Sequence, residues 1–257
     1  MEIAERSAQV AGLGIHHREA GDAPILYLHG VPTHSHDWVP FLQRIGGIAP
    51  DLPGFGKSAK PAEFDYSIDG YDRFLEAFVD QLGLERFSLV MHDWGAVGLA
   101  LAQRFPERVE RLLMISTVPF VPGFRWHRVA RGWRTPLLGE LLMGATTRWG
   151  FRRELPGELA DVAWEAFDHG TQRAILKLYR ASPSGVLARA GARLGDVRAP
   201  ALLLWPDDDP YIGSEFGQAH ARALGGETTL EMVRGGHWPW LRSPELIDRA
   251  ADFLKRS

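Results

Sequence analysis

The chain has 257 residues, 45% hydrophobic and 24% charged, with a formal net charge of -3, which suits one large domain, or one domain carrying an insertion, with a sizeable core. That balance, without any long lysine and arginine run, excludes a nucleic-acid footprint or a basic membrane-binding patch. The absence of cysteine excludes disulfides, thiolate catalysis and cysteine-held zinc, so any nucleophile is an oxygen or an amine.

In chain order, PILYLHG (24–30) reads as the first clear strand and SIDGYDRFLEAFVDQLG (67–83) as an amphipathic helix. FSLVMHD (87–93) is again a strand, GAVGLALAQRF (95–105) a helix, and VERLLMIST (109–117) a strand. Each is bounded by Gly, Pro or a polar turn. PALLLWP (200–206) and TTLEMVRG (228–235) resume the strand pattern, and SPELIDRAADFLKR (243–256) closes with a helix that Ser243 is expected to start, ahead of Pro244 and Glu245. Strand and helix in alternation predict an α/β fold with a mostly parallel sheet covered on both faces. From Val118 to Gly191 the rhythm breaks. This stretch is rich in Trp and Arg, and its helical pieces PLLGELLMGATTRW and GTQRAILKLYRA read as a lid (cap) inserted after the sixth strand. The core then comprises 1–117 and 192–257, and the cap 118–191. There are no repeats and no low-complexity tails.

Chemistry concentrates at strand ends. In VMHDWGAVG (90–98), Asp93 stands on a strand-to-helix turn with small Gly95 on one side and Met91 on the other. Taken alone, Asp93 could equally be the N-cap of the following helix. Its company favours more. HGVP (29–32) follows a strand and would set the amide of Val31 opposite that of Trp94, a pair of donors for a developing oxyanion. WPDDDP (205–210) offers an acid, and GGHWPW (235–240) a histidine, in the order nucleophile, acid, histidine.

HGVPTHSHDW, DLPGFGKS, HDWG, WPDDDP and GGHW together resemble the α/β-hydrolase superfamily, and within it the branch with an aspartate nucleophile, the epoxide hydrolases and haloalkane dehalogenases. The resemblance implies an α/β-hydrolase fold and nearly spans the chain. It makes Asp93 the nucleophile, His237 the general base, and Val31 and Trp94 the oxyanion hole. The family places the orienting acid directly before Pro, which selects Asp209 from Asp207, Asp208 and Asp209, with Asp208 in reserve. A carboxylate, with an ordinary pKa of about 3.9, is already an anion and can attack saturated carbon, whereas serine must first lose a proton. His237 is then needed only to activate the water that hydrolyses the resulting ester.

The leaving group separates the two activities. Halide needs polarised N–H donors and no proton. Trp94 supplies one, but Val31 stands where many dehalogenases have Asn, leaving Trp126, Trp133, Trp149 or Trp164 of the cap as a second. An opening epoxide needs an acid, and Tyr179 in LKLYRAS resembles a ring-opening tyrosine of epoxide hydrolases. It is the only Tyr in the cap, where such enzymes usually have two, so His127, Trp126 or another lid residue would stand in for the second, or one donor would suffice. Epoxide hydrolysis is the favoured expectation, with haloalkane dehalogenation the alternative and a non-catalytic small-molecule receptor the second alternative. Trp94, Trp126 and Trp238 are expected to bind substrate. His92 is expected to pack beneath the turn and His29 to bond loop backbone, while His34 and His36 belong to no motif. Neither a metal nor an organic cofactor is implied; the expected partners are a small apolar substrate and water, not nucleic acid or membrane. The opening MEIAERSAQV lacks a secretion-signal pattern and no apolar run approaches the ~20 residues of a bilayer span, so a cytoplasmic location is expected.

Overall fold

The computed structural model of the chain describes residues 1–255. Eight strands form one sheet: β1 (Ala4–Val10), β2 (Leu13–Ala20), β3 (Ile25–Leu28), β4 (Gly47–Pro50), β5 (Phe87–Asp93), β6 (Val109–Thr117), β7 (Ala201–Pro206) and β8 (Thr228–Val233). Their order is β1-β2-β4-β3-β5-β6-β7-β8. The first two pairings are antiparallel and the rest parallel. Every residue of β3, β5 and β7 is buried, which is why their sequences are mainly apolar rather than alternating, with Ser88, His92 and Asp93 the buried polar exceptions in β5. The five strands expected from the sequence are all present. β1, β2 and β4 were not expected: β1 is a half-exposed edge strand with polar residues, and β4 is only four residues long. β1 and β2 are joined by Ala11-Gly12, both at positive φ, a two-residue hairpin turn.

Helices α1 (Val39–Ile45), α2 (Ile68–Gln81) and α3 (Gly98–Arg104) precede β6. Ser67 caps α2, its hydroxyl accepting from the amide of Gly70 at 3.1 Å. Between β6 and β7 lie α4 (Arg128–Arg134), α5 (Leu138–Gly144), α6 (Arg148–Glu154), α7 (Gly157–Glu165), α8 (His169–Ala181) and α9 (Ser184–Ala190). The stretch 118–191 thus holds six helices and no strand. PLLGELLMGATTRW is two helices rather than one, because Thr147 caps a new start at α6 by accepting from Gly150. α10 (Ser214–Ala223) and α11 (Glu245–Leu254) complete the chain. α11 starts from Ser243 as its sequence indicates, but through the backbone and not the side chain. Pro244 already has helical dihedrals, and the carbonyl of Ser243, not its hydroxyl, accepts the amide of Leu246 at 3.0 Å. Among the described residues no helix is long and apolar enough to cross a membrane.

Candidate active site

The parallel strands β3, β5 and β7 and the edge strand β8 all end on the same side of the sheet, and each is followed by a loop carrying one part of the site. Asp93 is the last residue of β5 and sits at φ 46°, ψ -117°, a conformation costly for a residue with a Cβ. Its neighbours are shaped around it. A Cβ on Gly95 would lie 2.1 Å from the Leu28 carbonyl oxygen, and one on Gly30 would lie 2.5 Å from Asp93 Cβ. Met91 needs no such economy because its side chain is buried in the core beneath. Asp93 makes no capping bond to the turn that follows it, so helix capping does not account for it. Instead Oδ2 accepts from the amide of Val31 at 2.9 Å, and the amide of Trp94 also reaches the carboxylate. Burial pushes the Asp93 carboxyl above its ordinary range, while His237 and the two amides favour the anion.

His237 lies 3.8 Å from Asp93, Nε2 to Oδ1, and its Nδ1 is 2.7 Å from Asp209 Oδ2. The other oxygen of Asp209 accepts from the amides of Tyr211 and Ile212 at 2.8 and 3.1 Å. Burial opposes the charge on Asp209, but His237 and these bonds outweigh it and hold the carboxyl below the usual range. Burial likewise opposes protonation of His237, and the carboxylates of Asp209 first and Asp93 next outweigh it, raising its pKa. Asp208 does not reach His237; it accepts from the amides of Gly235 and Gly236 at 3.1 and 2.9 Å and so holds the histidine loop. Asp207 stands 3.6 Å from Arg234. His92 is fully buried under the turn with its Nε2 2.8 Å from the carbonyl of His237, a donor position that a neutral ring fills. His29 accepts from the amide of Leu52 at 2.9 Å and donates to the carbonyl of Gly30 at 2.8 Å.

Above Asp93 opens a cavity of about 750 Å³ whose wall includes Val31, Trp126, Tyr179, His237 and Trp238. Residues 25–250 match the Alpha/beta hydrolase family. The chain is 32% identical to a haloalkane dehalogenase of Bradyrhizobium diazoefficiens, over all of this chain and 86% of that protein. It is 38% identical to one from Mesorhizobium japonicum, over 90% of this chain and 84% of the relative. The crystal structure of haloalkane dehalogenase DbeA from Bradyrhizobium elkani superposes with a TM-score of 0.84 at 27% identity, covering 98% of each chain. The chain belongs to the alpha/beta hydrolase family, in its haloalkane-dehalogenase-like branch.

In this hydrolase the aromatic residues around the cavity differ in what their polar atoms do. Trp94 is 1% exposed, stacked on Trp126 at 5.4 Å and edge-on to Tyr179 at 5.2 Å. Its indole N–H approaches the Tyr179 hydroxyl yet has no well-formed hydrogen bond. Trp126 is not a free donor, because its N–H is bonded to the carbonyl of Ser182 at 2.9 Å. Trp164 packs within the insertion against Phe151 and Phe167, whereas Trp149 is mostly exposed at the cavity rim. Trp133 lines the cavity 5.1 Å from Tyr179. Trp238 meets His237 edge-on at 4.7 Å.

Two residues of the hydrolase site were missed by the sequence reading. Tyr211 also lines the cavity, edge-on to His237 at 5.1 Å, with its hydroxyl donating to Glu154 at 2.5 Å. It stands outside the insertion where donors were sought, and its signal was its place directly after Asp209-Pro210. Asp37 is a buried carboxyl bonded to Thr33, and burial pushes its pKa up to about 8. Its signal is its place within HGVPTHSHDW, as the one acid in that loop.

Proposed function

We propose that this hydrolase is a haloalkane dehalogenase acting on a small apolar substrate. The observation that carries this reading is the buried Trp94 N–H, which approaches the Tyr179 hydroxyl without forming a good hydrogen bond. A buried donor left unpaired costs about 1–3 kcal/mol, and a departing halide satisfies it. Tyr179 supplies the second donor that Val31 lacks and that Trp126 has spent on Ser182. Full-length similarity to haloalkane dehalogenases supports the same choice over the epoxide reading. Asp93 Oδ1, the oxygen not bonded to Val31, attacks the halogen-bearing carbon. The carbon–oxygen bond forms as the carbon–halogen bond breaks, and the halide leaves with the electron pair. Water then gives a proton to His237 Nε2 and attacks the ester carbonyl, whose oxygen is held by the amides of Val31 and Trp94. Asp209 orients the ring and balances its positive charge. Collapse releases the alcohol and restores the carboxylate, with one proton passing to solvent.

A second reading rests on Tyr179 itself. Burial first, and then the Asp93 charge, push its phenol well above 10, so it stays protonated and can give its proton to the alkoxide of an opening epoxide. One paired assay separates the readings: halide from a bromoalkane and diol from an epoxide of similar size, with Asp93→Asn as the blank. Halide release abolished in the variant is the expected result. Diol without halide would transfer the function to epoxides, and neither product would remove both.

A further inference from the structure

The peptide group between Gly30 and Val31 is loaded at both ends. Its N–H donates to Asp93 Oδ2 at 2.9 Å, and its carbonyl faces two donors, His29 Nδ1 at 2.8 Å and the Thr33 hydroxyl at 3.3 Å. Behind Thr33 stands Asp37, whose Oδ2 is in a short contact with the same hydroxyl. A hydroxyl has one proton to give, so Thr33 cannot donate both to Gly30 and to Asp37. If Asp37 is neutral it donates to Thr33, and Thr33 is free to donate to Gly30. Burial favours that neutral form. The indole N–H of Trp238 approaches the same carboxyl, and neither it nor Asp37 Oδ1 has another partner. A neutral carboxyl fits both sides, with one O–H toward Thr33 and one acceptor toward Trp238.

We propose that Asp37 is a positioning residue for the oxyanion donor: through Thr33 it feeds a hydrogen-bond chain that ends on the Gly30 carbonyl and thereby orients and polarises the Val31 N–H. Hydrogen bonds in series strengthen one another because each polarises the next. The inference rests on the reading of Val31 as an oxyanion donor. It adds that the donor's strength is set from a second layer, by a carboxyl that does not line the cavity. The charged groups facing Asp37 are Asp93, whose negative charge favours its neutral form, and His237, whose positive charge favours its ionised form. When Asp37 ionises it takes the Thr33 proton for itself, and the Gly30 carbonyl loses one donor.

The Val31 amide proton in a 1H–15N spectrum of the full chain tests this without any substrate. In Thr33→Val and Asp37→Leu it is expected to move upfield. In Asp37→Asn, whose amide offers the same donor and acceptor, it is expected to stay near the wild-type position at pH 7. In the wild type it should move upfield with a midpoint near pH 8, and Asp37→Asn should abolish that titration. With substrate, Thr33→Val should slow ester hydrolysis about three- to tenfold while alkylation of Asp93 changes less. A Val31 resonance unmoved in Thr33→Val, or one that moves equally in Asp37→Asn and Asp37→Leu, overturns the proposal. Ester formation on Asp93 in the wild type tests the proposed reaction separately, so the two ideas can fail independently.

Discussion

Replacing Trp94 with Phe removes one N–H and little else. The ring that stacks on Trp126 at 5.4 Å and meets Tyr179 at 5.2 Å is retained in part, and the backbone amide of residue 94, which serves the ester-hydrolysis step, is untouched. A hydrogen bond to an anion contributes about 1.5–3 kcal/mol, so alkylation should slow by about 10- to 150-fold in kcat/KM. Stability should change much less. The smaller ring leaves a void, but the variant no longer buries an unpaired donor, and the two effects oppose each other. Rapid quenching followed by mass measurement of the Asp93 peptide gives the alkylation rate, and decay of the same adduct gives the hydrolysis rate. Loss confined to the first step is expected. A loss under about threefold, or equal slowing of both steps, would refute the idea that this N–H holds the leaving group.

His237→Gln should leave alkylation intact and let the ester accumulate on Asp93, seen as a mass increase equal to the alkyl group; a wild-type mass after turnover conditions sinks the assignment of His237. In Asp209→Asn turnover should fall on the order of 10³-fold. The general base must be neutral, so hydrolysis in the wild type rises with pH through the His237 pKa, which Asp209 raises; without the Asp209 charge that midpoint moves to lower pH, which a pH–rate profile of adduct decay reads. Asp37 binds its proton more tightly folded than unfolded, with a pKa near 8 against an ordinary 3.8. Its contribution to stability is therefore lost as pH rises from about 4 to about 8, by about 1.4 kcal/mol per pH unit as an upper bound. Asp37→Asn should flatten that part of the profile, and thermal unfolding of both proteins at pH 5 and pH 8 should show the gap widening at the higher pH.

What the sequence disclosed depended on how locally the information is written. β5 is legible with its bounds because its apolar run, Phe87 to Met91 broken only by Ser88, leads straight into His92-Asp93 at the turn, and the order Asp93, Asp209, His237 survives as a pattern of strand ends. Asp209 was chosen over its neighbours by a motif, and the reason lies in space: only its carboxyl is reached by His237 and by two loop amides. β1 and β2 escape a sequence reading because β1 is mostly exposed and polar, while the buried stretch of β2 is carried by His16, His17 and Arg18 instead of an apolar run. The leaving-group cradle was partly hidden for a different reason. Indole nitrogens look alike in a sequence, and whether one is free or already bonded to a carbonyl, as in Trp126 against Trp94, depends on a partner far along the chain.

The division of the site between core and insertion bears on how such an enzyme changes over evolutionary time. Asp93, His237, Asp209 and the amides of Val31 and Trp94 sit at the ends of the sheet, whereas Tyr179 and much of the cavity wall come from the helices between β6 and β7. Substitutions in that helical stretch can therefore remodel which molecules are admitted, and, on the proposed mechanism, which atom departs from them, without touching Asp93, His237 or Asp209. A lineage can explore new substrates there without first surrendering its means of turnover.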